Sequence, residues 1–324
     1  MPVTLAEAKA TMQDKLEQTA IDEFRRSSFL MDQLIYDDAV SPGTGGSTLV
    51  YGYTQLKTPS TAEFRAINTE YSANEAKREP KTTTLKVFGG SYKIDRVIQN
   101  TSGKLNEAAF QMEQKIKGAS NLFHQTIING NSAVDPLSFD GLDKMLTGSS
   151  TEINTDAVMD LTDVTNTKFK LLEQIDDFMS QLDGRPTMLM GNNKLINMIK
   201  SLARQAGYYT RSEDAFGKKI DGYDNIPLID LGYFFNGTKT VPIVDNVTRT
   251  IDGTSTDGLT DLYAVSIGLD GFHGVTPLGG VGLTAYAPDF SIPGAVKTGE
   301  VEMVAGIALK ATRKAGVLRN IKVK

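Results

Sequence analysis

Between Thr58 and Leu85 the chain carries three large apolar side chains, Phe64, Ile67 and Tyr71, among small, polar and charged residues and two prolines. The run EYSANEAKREP closes at Pro80, and TTTLKVFGG then takes up the alternation of a strand. Such a segment cannot feed a core, and uncommitted loops of this length serve as lids, linkers or binding arms. Folded back as a hairpin over 58–84, each half would hold roughly a dozen residues and reach about 40 Å at ~3.3 Å per residue. A chain of 324 residues has a compact radius of gyration of only about 20 Å. The arm would leave its own body, and an isolated two-stranded ribbon is marginal in water without a surface beneath it. That surface is expected on a neighbouring subunit.

The flanks supply the body. Thr4 and Glu7 have the spacing of a capping box, and Leu5, Ala8, Met12, Leu16, Ala20 and Phe24 follow at helical steps. This amphipathic N-terminal helix would form a second arm, ended by the flexible joint SPGTGGS at 41–47. TLVYGYTQL (48–56) alternates like a strand, and TLKVFGGSYKIDRVI (84–98) predicts another, broken at Gly89-Gly90, where the arm would bend back. A long helix is predicted over 101–130, with Leu105, Ala108, Ala109, Met112, Ile116, Ala119 and Phe123 on one stripe and Asn129-Gly130 as its stop. A helix over 166–182, a buried strand PTMLMGN leading into the helix NKLINMIKSLARQ, and a series of short strands complete the pattern. Asp-Gly pairs at 140, 183, 221, 252, 257 and 270 read as turns. Helices and strands do not alternate as βαβ units, so the class is α+β.

Chemistry is sparse. The chain has no cysteine, which removes disulfides, thiolate metal sites and cysteine nucleophiles. Its two histidines are His124 and His273, leaving few candidates for a general base. His124 flanks the helical stripe as a packing residue, without the companions of a metal ligand. His273 lacks visible partners. Asp176 and Asp177 are adjacent on a helix, point about 100° apart, and cannot share a proton. GGVGLT (279–284) lacks the Lys-Ser/Thr ending of a phosphate loop and reads as a turn. DGTSTDGLTD (252–261) lacks calcium-loop spacing and reads as a solvated loop between strands. No catalytic, cofactor or metal site is expected.

A net charge of −5 disfavours a dedicated nucleic-acid binder, and no run approaches the ~20 apolar residues of a membrane span. The N-terminus lacks the basic head and apolar middle of a signal peptide, so synthesis in the cytoplasm is expected. Acids outnumber bases from Asp135 to Asp183, whereas 303–324 holds no acid beside Lys310, Arg313, Lys314, Arg319, Lys322 and Lys324. These blocks read as solvated faces, or as subunits meeting acid to base, or as a tail approaching nucleic acid.

The order of elements resembles the major capsid proteins of tailed bacteriophages with the Hong Kong 97-type fold. The likeness runs through the N-terminal arm, extended loop and long "spine" helix to IINGNSAVDPLSFDGL, PTMLMGNNKLINMIKSL, DLYAVSIGLDGFHGV and VEMVAGIALKATRKAGVLRNIKV. It implies an N-terminal arm at 1–47, an extended β-hairpin loop at 48–98, a peripheral domain with the spine helix at 99–165 and 286–324, and an axial domain at 166–285. It also implies a structural protein rather than an enzyme, assembling as pentamers and hexamers into an icosahedral virion shell, by way of a viral procapsid.

The implied partners are other copies of the chain, a scaffolding protein, a portal protein and packaged double-stranded DNA held by non-specific contacts, with no membrane. A separate scaffolding protein is expected, since the extended loop begins too early for a built-in scaffolding segment. Phe64, Ile67, Tyr71, Glu75, Lys77, Arg78, Glu79, Lys81 and Arg96 would be inter-subunit contacts. Some relatives cross-link a loop lysine to an asparagine next door, and Lys57, Lys77 and Lys81 are all possible donors. Two other readings stand beside this one: an encapsulin-like bacterial compartment shell, and a soluble enzyme or carbohydrate-binding module.

Overall fold

A computed structural model describes residues 30, 33–39, 48–101, 107–160, 170–213, 219–236, 238–277 and 283–323. The expected N-terminal helix, the joint at 41–47, Leu105 and the glycine-rich start of 279–284 lie outside these residues.

Strands β1 (Tyr36–Asp38), β2 (Val50–Thr58), β3 (Lys77–Thr84) and β4 (Lys86–Asp95) come before a short helix, Arg96–Thr101, and the long helix Glu107–Asn129. On the long helix Ala108, Met112, Ile116, Ala119, Phe123 and Ile127 recur every three or four residues and are buried, the stripe of a helix laid on a core. It stops where the sequence predicts. Gly130 N donates to Thr126 O at 2.9 Å, and a Cβ on Gly130 would stand 2.3 Å from Phe139 O. The following loop therefore returns tightly against the helix end.

Next come the helix Leu142–Leu146, β5 (Glu152–Ile153), β6 (Met159–Asp160), the helix Lys170–Ser180, β7 (Met188–Gly191) and the helix Asn193–Ala206. The last helix is capped at both ends. Asn192 Oδ1 accepts from Lys194 N at 3.0 Å, and Gly207 closes it in the left-handed region. The rest is mostly strand: β8 (Tyr209–Glu213), β9 (Lys219–Tyr223), β10 (Ile226–Asp230), β11 (Tyr233–Phe235), β12 (Thr240–Pro242), β13 (Val247–Ile251), β14 (Thr254–Val265), β15 (Phe272–Thr276), β16 (Leu283–Tyr286), β17 (Val296–Leu309) and β18 (Ala315–Lys322).

A nine-stranded mixed sheet has the order β5-β18-β14-β7-β10-β9-β8, with β13 beside β14 and β6 beside β18. Both of its faces are covered. Met188, Met190, Tyr263 and Val265 enter the core shared with the long helix, while Leu189, Leu262 and Ala264 enter the core under the helices Lys170–Ser180 and Asn193–Ala206. Alternate residues of one strand thus serve two cores. The second sheet joins β1, β15, β17, β16 and β4, and β17 is its longest strand. The class is α+β, as expected.

Several expectations need correction. β4 is not broken at Gly89-Gly90: it pairs with β17 without interruption from Lys86↔Ala305 to Asp95↔Val296. Gly89 is there because β17 passes close, since a Cβ would sit 1.9 Å from Val301 O. The arm instead returns at buried Leu85. Its hairpin is β2 against β3, from Val50↔Thr84 to Thr58↔Lys77, so 59–76 is an irregular tip rather than strand. DGTSTDGLTD is not a loop between strands either. Asp252 and Gly253, both left-handed, make the two-residue turn that joins β13 to β14 through Ile251↔Thr254. Asp221-Gly222 and Asp257-Gly258 lie inside β9 and β14 rather than at turns.

Candidate assembly surface

The arm is held to the body at its root, by one face of β2 and by buried Thr83 on β3. Tyr51, Tyr53 and Gln55 alternate along β2 and so point the same way. Tyr51 Oη donates to Asp37 Oδ2 at 2.5 Å, Tyr53 Oη to Leu309 O at 3.1 Å, and Gln55 Nε2 to Lys310 O and Thr312 Oγ1, each at 3.0 Å. The Tyr51 ring meets His273 edge-on at 5.8 Å, and Lys310 Nζ lies over the same ring, 5.3 Å from its centroid. Beneath lie Ala39, Leu85, Val275 and Ala308, a small core at the root. Burial and the hydrogen bond to Asp37 push the Tyr51 hydroxyl up, while the Tyr51 O–H holds the Asp37 carboxyl below its usual range. Tyr51 is therefore the donor throughout the neutral range.

Beyond Gln55 the arm runs out into solvent. Every residue from 56 to 78 is exposed. The tip keeps its shape through local bonds: Asn74 Oδ1 accepts from Thr61 N at 2.9 Å and Glu63 Oε1 from Ser72 N at 2.5 Å. Asn68 takes a left-handed conformation, and the Arg65 guanidinium lies 5.3 Å from the Tyr71 ring centroid. Phe64, Ile67 and Tyr71 are thereby displayed to solvent on an ordered tip.

The other sequence-predicted contact residues divide. Glu75, Lys77, Arg78 and Lys81 are exposed along the arm, and Glu79, half-buried, pairs across the hairpin with Lys57 at 3.2 Å. Lys81 faces a cavity of about 300 Å³ between the arm root and the loop after the long helix. Arg96 belongs elsewhere. It opens the helix Arg96–Thr101 at the far end of β4, where its N–H donates to Ala295 O at 2.8 Å.

The acidic and basic blocks meet in part within the chain, where Asp143, Glu152, Asp160 and Asp183 pair with Arg319, Lys322 and Lys314, while Asp135, Asp156 and Asp177 are exposed. Parallel pairing of β5 and β6 with β18 brings them together. Buried Arg319 donates to Glu152 Oε1 and Asp261 Oδ2, each at 2.9 Å, and to Asp143. Arg249 places both terminal nitrogens on Asp261 at 2.6 Å. Asn320, left-handed in the strand, donates its N–H to Asp261 Oδ1 at 3.2 Å. Burial pushes the Asp261 carboxyl up, but Arg249 and Arg319 outweigh it and leave it below the usual value. Lys322–Asp160, Lys314–Asp183 and Lys310–Asp37 pair at 2.7, 3.3 and 3.4 Å.

Both histidines are buried. Desolvation lowers His124 to about 4, and it lowers His273, whose Nδ1 lies 3.2 Å from Gly271 O. Asp176 accepts from Tyr223 Oη at 2.9 Å. Among the described residues no group of three His, Asp or Glu side chains could hold a metal ion, and no helix is long and apolar enough to cross a membrane.

No protein-family model and no curated protein matches the sequence. Solved structures do match in three dimensions, over nearly the whole of both chains. The encapsulin of the holo-SrpI complex from Synechococcus elongatus PCC 7942 matches with a TM-score of 0.57 at 13% identity, over 100% of this chain and 97% of that one. The capsid of the native GTA particle matches at 0.56 and 10% identity, over 98% and 94%. The capsid of the Myoviridae phage XM1 matches at 0.55 and 11% identity, over 98% and 96%.

The chain has the Hong Kong 97-type capsid fold. Within that fold the long helix Glu107–Asn129 stands in the place of the spine helix, and the β2–β3 hairpin in that of the extended loop. Sequence reasoning found the loop by its failure to feed a core. It missed Tyr51, Tyr53 and Gln55 as the root anchor, although their alternation was visible, because nothing local says which face of a strand turns inward.

Proposed function

We propose that this chain is a major capsid protein of a tailed bacteriophage, a structural subunit that assembles into the icosahedral shell enclosing double-stranded DNA. One observation carries the reading: a hairpin anchored only at its root displays Phe64, Ile67 and Tyr71 on a tip that its own body leaves uncovered. Exposed apolar groups of this size on an ordered arm mark an interaction surface. The fold is that of shell proteins, two of them described as capsids, which supports another copy as the partner. Glu75, Lys77, Arg78, Glu79 and Lys81 would supplement the apolar tip with contacts of mixed sign, and Arg96 would make a separate inter-subunit contact at the far end of β4.

The same proposal includes a division into an N-terminal arm (1–47), an extended loop (48–98), a peripheral domain (99–165 and 286–324) and an axial domain (166–285). The nine-stranded sheet would span the last two, because β5 and β6 pair in it with β18, and β18 pairs with β14. Pentamers and hexamers, a separate scaffolding protein, a portal protein and non-specific contacts with packaged DNA follow from it. So do an absence of substrate catalysis and a place in the virion after synthesis in the host cytoplasm.

Negative-stain microscopy of the purified protein, alone and with a scaffolding partner, tests the reading. Closed shells are expected. Small discrete oligomers under both conditions would overturn it. The match to an encapsulin favours a second reading, a bacterial compartment shell built from the same fold. The contents of purified particles separate the two, since nucleic acid supports the capsid and a co-purifying cargo enzyme supports the compartment.

A further inference from the structure

We infer that the cavity at the arm root is a binding site for a small oxyanion of the phosphate class. The cavity lies between the arm and the loop 131–140 and has a volume of about 300 Å³, within the range of small-molecule sites. Its walls come from the β2–β3 hairpin, from the loop, and from the segment that follows β17. The loop wall is fixed in place, because Gly141 N donates to Gly130 O and Ser132 N to Asp140 Oδ1, each at 2.8 Å. A single copy supplies the whole site.

The strand register aims Lys81 at this cavity. Lys81 stands directly opposite Tyr53 in the hairpin, and opposed residues project to the same face of a sheet. Tyr53 turns to the body, where its Oη donates to Leu309 O at 3.1 Å. Lys81 therefore turns to the body too, yet no carboxylate pairs with it there among the described residues. Lys86 lines the same cavity. It gives one proton to Pro136 O at 2.7 Å, and an ammonium has three. Thr312 Oγ1 accepts from Gln55 Nε2 at 3.0 Å, which leaves its own proton to donate. Against these donors stands Asp140, the one carboxylate among the described lining residues, and Ser132 N already occupies one of its oxygens. Donors and positive charge are in excess. That balance disfavours a cation and suits a ligand that only accepts, for which ammonium groups are strong partners.

Such an ion would complete the root of the arm. β2 is bonded to the body as far out as Gln55. From Lys77 to Thr82, β3 has no hydrogen bond or ion pair to the body among the described residues. An oxyanion held by Lys81 from the arm, and by Lys86 and Thr312 from the body, ties down the second strand as well. The site goes beyond the shell reading and does not depend on it.

Equilibrium dialysis of the full-length chain against labelled inorganic phosphate tests the site, with ionic strength held constant by chloride. Saturable binding of a single ion per chain is expected. Lys81→Met should weaken it at least about tenfold, the loss of one charge-assisted hydrogen bond. Lys77→Met, on the same strand but outside the cavity lining, should leave it unchanged. Wild-type protein without saturable binding, or equal binding by wild type and Lys81→Met, would overturn the site. Should Lys81→Met fail to fold, amide hydrogen exchange of the wild-type chain decides. Slower exchange at 81–84 in phosphate than in chloride supports the site, and unchanged exchange there overturns it. Shells are scored separately by microscopy, so failure here leaves the shell reading standing.

Discussion

Arg319 Nη1 donates to Asp261 Oδ2 at 2.9 Å, with both side chains less than a tenth exposed. The pair joins β18 to β14, and Arg249, Glu152 and Asp143 surround it. Its partners share one Arg319, so removing that side chain strands several groups at once. Breaking a buried pair from one side costs about 3–5 kcal/mol. Arg319→Met is expected to lower the free energy of unfolding by that amount, seen as a lower denaturant midpoint at an unchanged slope. A change below about 1 kcal/mol, the scale of an exposed ion pair, would show that the network is solvated.

The arm beyond its root should be dispensable for folding. Residues 60–75 are all exposed, while the anchors Tyr51, Tyr53 and Gln55 lie outside that span. Replacing 60–75 by Asn-Gly, a two-residue hairpin turn, is expected to leave the melting temperature within a few degrees of wild type. Shell assembly should be lost. Normal shells seen by microscopy from this variant would contradict the role given to the tip.

How much of this was legible beforehand depends on how local each signal was. The spine stripe Met112, Ile116, Ala119 and Phe123 repeats within one helix, so periodicity alone exposed it. The arm was legible through composition, because Phe64, Ile67 and Tyr71 are too few to build a core. Arg319 and its partners were not legible. Acidic and basic blocks stood out, but only the parallel pairing of β5 with β18, Val317↔Glu152 and Leu318↔Ile153, sets them side by side. The root anchors depend on tertiary placement in the same way. The hairpin β8–β9 was missed because Tyr209–Glu213 and Lys219–Tyr223 are short strands at a sheet edge with charged residues among them, which blurs the alternation.

The body rests on the spine helix. Ile116 is fully buried and Met112 nearly so, both in the larger core. Ile116→Asp would place a carboxylate there without a counter-ion, a change costing several kcal/mol, comparable to the whole stability of an ordinary domain. The variant is expected to appear in the insoluble fraction on expression. Ile116→Val, costing about 0.5–1.5 kcal/mol, should remain soluble. Soluble, cooperatively melting Ile116→Asp protein would contradict the packing described for this helix.

Acid should destabilise the fold through His124 before the carboxylates titrate. Burial lowers this imidazole to about 4, and its Nε2 has no hydrogen-bond partner among the described residues. An unfolded histidine titrates near 6.5. Between pH 6.5 and 4 the unfolded chain therefore binds a proton that the folded chain does not, and stability falls as pH falls through that window. The full effect is about 3 kcal/mol, from roughly 1.4 kcal/mol per unit. His273, lowered in the same direction by burial, adds to the slope. Unfolding by urea at pH 7.5 and 4.5 should show the loss in the wild-type chain and a distinctly smaller one in His124→Leu. An equal loss in both would mean that His124 is protonated, or reached by water, in the folded protein.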